Sequence, residues 1–84
     1  MYIYLELKPK LFTENGQVMF IKVRDNIKKL LELSGAVSMS KAISSIGGDS
    51  WELMACVDRL VELKEIKEIT GDNVAGQHRV FVKY

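Results

Sequence analysis

Apolar and polar positions alternate at both ends of the chain. At the N-terminus, positions 1, 3, 5 and 7 are aliphatic or methionine, and tyrosines and a glutamate lie between them. Near the C-terminus, Val80 and Val82 alternate with larger or charged residues. A period of two is typical of strands. We therefore predict an N-terminal strand that ends at Pro9 and a second strand over residues 78–84.

A further strand candidate lies just before the C-terminal one. Residues 64–70 contain two isoleucines and a threonine, and a glycine-containing stretch over residues 71–77 separates them from the last strand. Neighbouring strands joined by such a loop form a hairpin. We therefore predict a hairpin over residues 65–84, and an N-terminal strand and turn over residues 1–13.

Between these ends, the apolar residues are spaced by three and four positions. Phe20 and Ile27 belong to one such stripe, and Gly35 follows it as a typical helix end. This spacing predicts a first helix over residues 16–34. The Asn-Gly pair at positions 15–16 could instead form the tight turn of a hairpin. The spacing favours the helix, but the residues alone leave both alternatives open.

Two shorter helices are predicted after the first. A serine at position 38 or 40 is suited to cap a helix over residues 38–46, which two consecutive glycines end. Asp49, with Glu52 three residues later, has the pattern of a capping box at the start of a helix over residues 49–63. Cys56 lies beside the apolar stripe of this helix, so we predict a buried small hydrophobic side chain.

The composition excludes several classes of protein. The 84 residues, 48% hydrophobic and 27% charged, are enough for one domain, and the net charge of +1 is not that of a strongly basic nucleic-acid coat. One cysteine and one histidine cannot form an internal disulfide or a structural zinc site. No apolar run approaches the roughly 20 residues of a membrane span, and the first ten residues lack the features of a signal peptide. We expect a cytoplasmic protein without metal, cofactor or membrane.

Catalytic patterns are absent from the sequence. The single histidine, His78, is distant in sequence from every serine, so no nucleophile and base form an evident pair. The loop over residues 71–77 has two glycines but no Gly-Lys-Ser/Thr, so it is not a phosphate-binding loop. We therefore expect no enzymatic activity.

The order of predicted elements is helix, short helix, glycine break, capped helix and β-hairpin. This order resembles the winged helix-turn-helix superfamily, over residues 20–84. The segments that carry the resemblance are Ile27–Gly35, Ser40–Gly47 and Val57–Ile66. It implies an α+β fold of three helices and a C-terminal hairpin wing, to which the predicted N-terminal strand is an addition. Lys64 stands where regulators of the multiple-antibiotic-resistance repressor kind usually have glycine, so we expect a less comfortable turn there.

The resemblance implies a small DNA-binding protein, a dimeric transcriptional regulator. Its third helix would enter the major groove of double-stranded DNA, and its wing would touch the backbone. The expected contacts are basic, polar or aromatic residues of the second and third helices and the wing: Lys41, Ser50, Trp51, Arg59, Lys67, His78 and Arg79. Phosphate binding requires positive charge, yet residues 35–63 carry two basic and four acidic side chains. This balance weakens the DNA hypothesis.

A winged-helix module that binds another protein, and no nucleic acid, is the alternative. Trp51 is in the first turn of the third helix beside Met54, and tryptophan is over-represented among binding hot spots. Tyr2 and Tyr4 would lie on the outer side of the N-terminal strand. That strand must pair with another strand, either in the wing or from a second copy in a homodimer.

Overall fold

The computed structural model describes residues 1–71 and 73–84. Within them the chain forms four α-helices and a three-stranded antiparallel sheet, which confirms the predicted α+β class. The helices are α1 (Tyr4–Leu7), α2 (Glu14–Ser34), α3 (Met39–Ile43) and α4 (Ser50–Glu62). The strands are β1 (Ala36–Ser38), β2 (Ile66–Glu68) and β3 (Val80–Lys83), and 3₁₀ helices cover Lys8–Phe12 and Gly76–His78. Position 72, in the predicted hairpin loop, lies outside the described residues.

The predicted N-terminal strand is wrong. Residues Tyr4–Leu7 form one helical turn that continues directly into the 3₁₀ helix at Lys8–Phe12. Pro9 lies in the first turn of that 3₁₀ helix, where its missing N–H group is not needed, so it continues the helical path instead of ending a strand. The sheet offers this segment no place beside its central strand, because β3 is already paired on both sides.

The Asn-Gly pair lies inside the first turn of α2, so the hairpin alternative is wrong. Thr13 caps this helix, and its hydroxyl oxygen accepts a hydrogen bond from the Gly16 N–H at 3.0 Å. A Cβ atom on Gly16 would lie 2.1 Å from the Lys10 carbonyl oxygen. Gly16 is therefore required because the preceding backbone passes against the helix. At the other end, Gly35 has a left-handed φ of 76° and ends α2 as predicted.

Side-chain caps begin the two following helices. The Ser38 hydroxyl accepts a hydrogen bond from the Lys41 N–H at 3.2 Å, so the first of the two candidate serines is the cap of α3. This helix ends at Ile43 and is shorter than the predicted 38–46. Asp49 caps α4, because its carboxylate accepts hydrogen bonds from the N–H groups of Trp51 and Glu52 at 2.9 and 3.1 Å.

The sheet has the strand order β1-β3-β2, with β3 in the centre. The sequence pattern did not predict β1, because three residues between two helices are too few to display an alternation. Strand β2 pairs antiparallel with β3, so these two strands form the predicted hairpin. The chain enters β2 through Lys64, whose φ of 61° is left-handed and costs energy for any residue except glycine.

One hydrophobic core joins α2, α4 and the sheet. Its largest fully buried side chains include Phe81, Leu11, Ile27, Met39 and Leu60. Phe81 rather than its neighbours Val80 and Val82 faces this core, and the two valines are half-buried. The core therefore fixes the inner side of α4 and leaves its opposite side to other contacts.

Candidate functional site

Helix α4 has two faces with different surroundings. Leu53 and Leu60 are buried in the core. Since each residue turns a helix by about 100°, Ala55 lies on the opposite side, yet it too is completely buried. We attribute this to the N-terminal segment (residues 1–12), because both α1 and the following 3₁₀ helix pack against α4. The outer face of α4 is the stripe formed by Trp51, Ala55, Asp58 and Glu62.

The N-terminal segment binds the two carboxylates of this outer face. The Tyr2 hydroxyl donates a hydrogen bond to Asp58, and the Tyr4 hydroxyl donates one to Glu62 at 2.8 Å. The Lys8 ammonium also forms a salt bridge with Glu62 at 2.8 Å. Burial and these carboxylate partners raise the pKa of both tyrosines, so both hydroxyls stay protonated and remain donors. The two tyrosines therefore face α4.

Arg79 lies between two acidic residues and is mostly buried. Its guanidinium forms salt bridges with Asp58 at 2.7 Å and with Glu68 at 2.9 Å, and 18% of its side chain is exposed. Thr70 donates a further hydrogen bond to Glu68 at 2.6 Å. Burial opposes the charge on Arg79, but the two carboxylates outweigh it and raise the pKa of the guanidinium. Hydrogen bonding to Arg79 lowers the pKa of Glu68.

Arg59 is also engaged within the molecule. It forms a salt bridge with Glu62 at 2.7 Å, and its guanidinium lies 5.3 Å from the centre of the Phe12 ring. Hydrogen bonds from Lys8, Arg59 and Tyr4 together lower the pKa of Glu62 to about 2. The outer face of α4 is thus a network in which the chain's own cations and hydroxyls already occupy Asp58 and Glu62.

The remaining residues predicted to contact DNA are exposed. Lys41 lies on α3, Ser50 and Trp51 in the first turn of α4, Lys67 on β2, and His78 at the end of the second 3₁₀ helix. Helix α3 packs against this 3₁₀ helix, so the elements that carry Lys41 and His78 are neighbours. The predicted set therefore separates into exposed residues and two arginines held in ion pairs.

Of the four residues predicted for the alternative partner surface, Tyr2 and Tyr4 face α4 instead of outward, and the other two differ in exposure. Trp51 is 45% exposed, as a binding anchor requires. Met54 is half-buried, and a Cβ atom on Gly76 would lie 3.1 Å from its Cε atom. Met54 therefore packs against the second 3₁₀ helix, and Trp51 is the exposed residue of this pair.

Comparisons with protein-family models, with curated proteins and with solved structures found no match. The function therefore has to be inferred from the residues of this chain. Among the described residues, no group of three or more histidine, cysteine or acidic side chains is placed to hold a metal ion. None of the described helices combines the length and the apolar character that a membrane crossing requires.

The predicted burial of Cys56 is confirmed. Burial, together with the charge of Glu52, raises the pKa of its thiol to about 12. A thiol that is both buried and protonated is a poor nucleophile and a poor metal ligand. Cys56 therefore has a packing role in the core.

An open groove lies between α2 and the sheet, away from the outer face of α4. Its volume is about 700 Å³, and Ile27, Leu31 and Ile66 form part of its lining. Lys28 and Glu32 also line it, so its charged groups have both signs. This mixed charge favours no one class of ligand.

The network around Asp58 and Glu62 is the feature that the sequence pattern missed. Its members come from the N-terminal segment, from α4 and from the hairpin, at separations of up to 58 positions along the chain. Asp58 and Glu62 are four residues apart, and this spacing places them on one face of a helix. That spacing was the one signal in the sequence that could have indicated this network. Their partners could not be found without knowing that the N-terminal segment is helical and crosses α4.

Proposed function

We propose that this chain is a winged-helix domain that acts as a protein–protein interaction module. The winged-helix assignment is supported by the order of α2, α3 and α4, followed by the antiparallel pair β2 and β3. It is also supported by the strained left-handed turn at Lys64, at the position where the resembling regulators usually have glycine. The N-terminal segment is an addition to this arrangement.

The occupied outer face of α4 is the observation that carries the functional proposal. In a DNA-binding winged helix, the exposed side of the third helix enters the major groove. Here, that side has two carboxylates, and Tyr2, Tyr4 and Lys8 already bind them. Because phosphate neutralisation supplies much of the affinity for DNA, an acidic and covered helix face is poorly suited to that role.

Exposed apolar side chains support a protein partner instead. Trp51 extends from the outer face at the first turn of α4, and Met1 and Leu5 of the N-terminal segment are 92% and 72% exposed. Large aromatic and aliphatic side chains are common anchors at protein interfaces. A partner that covers Trp51 would bury one of the few large aromatic surfaces that this chain exposes.

The first test is fluorescence anisotropy of labelled random duplex DNA, titrated with the protein at roughly 50 and 200 mM salt. We expect no binding at tens of micromolar protein in the lower salt. A rise in anisotropy would contradict the proposal if the affinity derived from it falls about 10- to 1,000-fold between the two salts. Such a fall would indicate several phosphate contacts.

Partner capture is the second test, with the full chain as bait. The variant Trp51→Ala should lose a partner that the wild-type protein retains, because the anchor is removed. The variant Tyr84→Ala removes another exposed aromatic side chain at a distant position and should retain the partner. Equal capture by both variants would exclude Trp51 from the interface.

DNA binding remains a second candidate because four of its predicted contacts are accessible in addition to Trp51. Lys41, Ser50, Lys67 and His78 are exposed, and neither lysine forms a salt bridge with another described residue. If DNA binds, Lys41→Ala and Lys67→Ala should each lower the slope of log affinity against log salt by about 1. Such a result would favour the regulator over the interaction module.

A further inference from the structure

We propose that α1 and the residues before it (residues 1–7) are a displaceable intramolecular occupant of the outer face of α4. We further propose that the protein partner that replaces them is a short helix with hydroxyl or ammonium donors for Asp58 and Glu62. This inference rests on the proposed interaction function and names the chemistry of its partner.

The contacts of residues 1–7 define what this surface accepts. Two hydroxyl groups, from Tyr2 and Tyr4, meet two carboxylates that are one helical turn apart on α4. Hydrogen bonds to a carboxylate are stronger than those between neutral groups. The surface therefore favours a partner whose hydrogen-bond donors have the same spacing as the two carboxylates. Between these contacts and Trp51 the outer face has only the small side chain of Ala55, which allows a second helix to approach closely.

Residues 1–7 are weakly held, in contrast to the residues that follow them. Helix α1 is a single turn, none of its residues is buried, and no side chain caps its N-terminus. An isolated turn of helix is unfavourable without tertiary support. The exposed Met1 and Leu5 side chains add little such support, and Tyr2, Tyr4 and Leu7, which do pack against the core, are only partly buried.

The chain becomes firmly anchored only after α1. Leu11 is a fully buried core residue, and the backbone at Lys10 and Leu11 lies in direct contact with Gly16. Opening at the junction with the 3₁₀ helix would therefore release residues 1–7 while Leu11 stays in the core. Asp58 would keep its salt bridge with Arg79, and Glu62 would keep those with Arg59 and Lys8, but the positions that the Tyr2 and Tyr4 hydroxyls leave would be open to donors of a partner.

Hydrogen exchange tests the opening on the unmodified protein. The amide of Lys8, which bonds to the Tyr4 carbonyl oxygen, reports on α1, and the amide of Ile27 reports on the core. We expect the Lys8 amide to be at least about 100-fold less protected than the Ile27 amide, because local opening costs less than global unfolding. Equal protection would overturn the proposal, since residues 1–7 would then leave only when the whole domain unfolds.

A labelled peptide with the sequence of residues 1–7 tests the binding chemistry. The double variant Tyr2→Phe/Tyr4→Phe of the full chain loses the intramolecular hydrogen bonds and should bind the peptide about 10-fold more tightly than the wild type. Adding Asp58→Asn and Glu62→Gln to this variant should abolish the gain. Tyr84→Phe, which removes an exposed hydroxyl elsewhere, should behave as the wild type.

Two outcomes of the peptide titration would overturn the inference. One is equal affinity of the peptide for the wild type and the double variant, and the other is no binding to either protein. The DNA titration separates this failure from failure of the proposed function. If neither DNA nor the peptide binds, only the inference about residues 1–7 falls, whereas salt-sensitive DNA binding removes the interaction module itself.

Discussion

The two ends of the chain have the same alternating pattern but different structures. Residues 78–84 contribute β3, the central strand of the sheet, whereas residues 1–7 contribute one turn of helix on the outside of α4. The difference lies in available partners. Strand β3 is paired on both sides, and the tyrosines of the N-terminal end hydrogen-bond to carboxylates of α4. An alternating pattern therefore indicates a strand only where a neighbouring strand is free to pair.

The largest effect should come from the core side of the C-terminal strand. Phe81 is completely buried, so we expect Phe81→Ala to lower the free energy of unfolding by about 3–5 kcal/mol. Leu5→Ala, at the exposed N-terminal end, should change it by less than about 0.5 kcal/mol. Urea denaturation followed by circular dichroism measures both variants. Similar losses would contradict the contrast between the two ends.

The anchor of the N-terminal segment should be the next most sensitive position. In Gly16→Ala the new methyl group would lie 2.1 Å from the Lys10 carbonyl oxygen, so the backbone of the 3₁₀ helix must shift. We expect a loss of about 1–3 kcal/mol, although alanine is the better helix former. Gly47→Ala, where no atom lies within 4 Å, is the matched control and should be close to neutral. Equal thermal unfolding midpoints for the two variants would exclude the close approach of the Lys10 carbonyl oxygen to Gly16.

The turn into the hairpin should respond in the opposite direction. Lys64 has a left-handed φ of 61°, which glycine adopts without a steric penalty. We expect Lys64→Gly to raise the free energy of unfolding by about 1 kcal/mol. Leu63→Gly, one residue earlier with a right-handed φ of −78°, should lower it. If Lys64→Gly is destabilising, the strain at this turn is not the dominant factor.

The smallest expected effect is the pH dependence that Glu62 contributes. Its pKa in the folded protein is about 2, below the ordinary value of 4.5, so folding favours the ionised form. Its stabilising contribution is complete above about pH 4.5 and is lost as the pH falls towards 2. Glu62→Gln should reduce the loss of stability over this range, as measured by urea denaturation.

The control for this titration is an acidic residue outside the network. Glu32, on α2, is exposed and forms no salt bridge with another described residue. Glu32→Gln should therefore leave unchanged the decrease in the free energy of unfolding as the pH falls from about 4.5 towards 2. In Glu62→Gln the free energy of unfolding should still decrease somewhat as the pH falls, because the hydrogen bond to Arg79 also lowers the pKa of Glu68. If the acid-induced loss of stability is unchanged in Glu62→Gln, the contacts of Glu62 with Lys8, Arg59 and Tyr4 do not stabilise the folded state.

The local signals in the sequence were sufficient for the long helices and their ends. Thr13 and Asp49 cap their helices through side-chain hydrogen bonds to nearby N–H groups, and Gly35 ends α2 in a left-handed conformation. Such interactions involve residues within four positions of each other, so the local sequence is sufficient to predict them. The stripe of α4 that faces the core follows from helical spacing for the same reason.

Arg59 pairs with Glu62 three residues later on the same helix, whereas the accessibility of Arg79 depended on residues 11 and 21 positions away. Both are basic and lie on predicted surface elements, which made them candidates for phosphate binding. Asp58 and Glu68 bind Arg79, and Glu62 binds Arg59, so neither guanidinium is freely exposed. Sequence pattern describes which residues are charged, but ion pairing depends on which elements the fold brings together.

Local patterns in the sequence were enough to predict the α+β class, the long helices α2 and α4, and the hairpin. These features depend on backbone preference and on apolar spacing over a few residues. Tertiary packing, by contrast, makes Tyr4–Leu7 helical and places residues 1–7 on the outer face of α4, where Tyr2 and Tyr4 bind its carboxylates. A segment this short takes its conformation from the surface it packs against, because its own hydrogen bonds cannot offset the cost of forming a single turn.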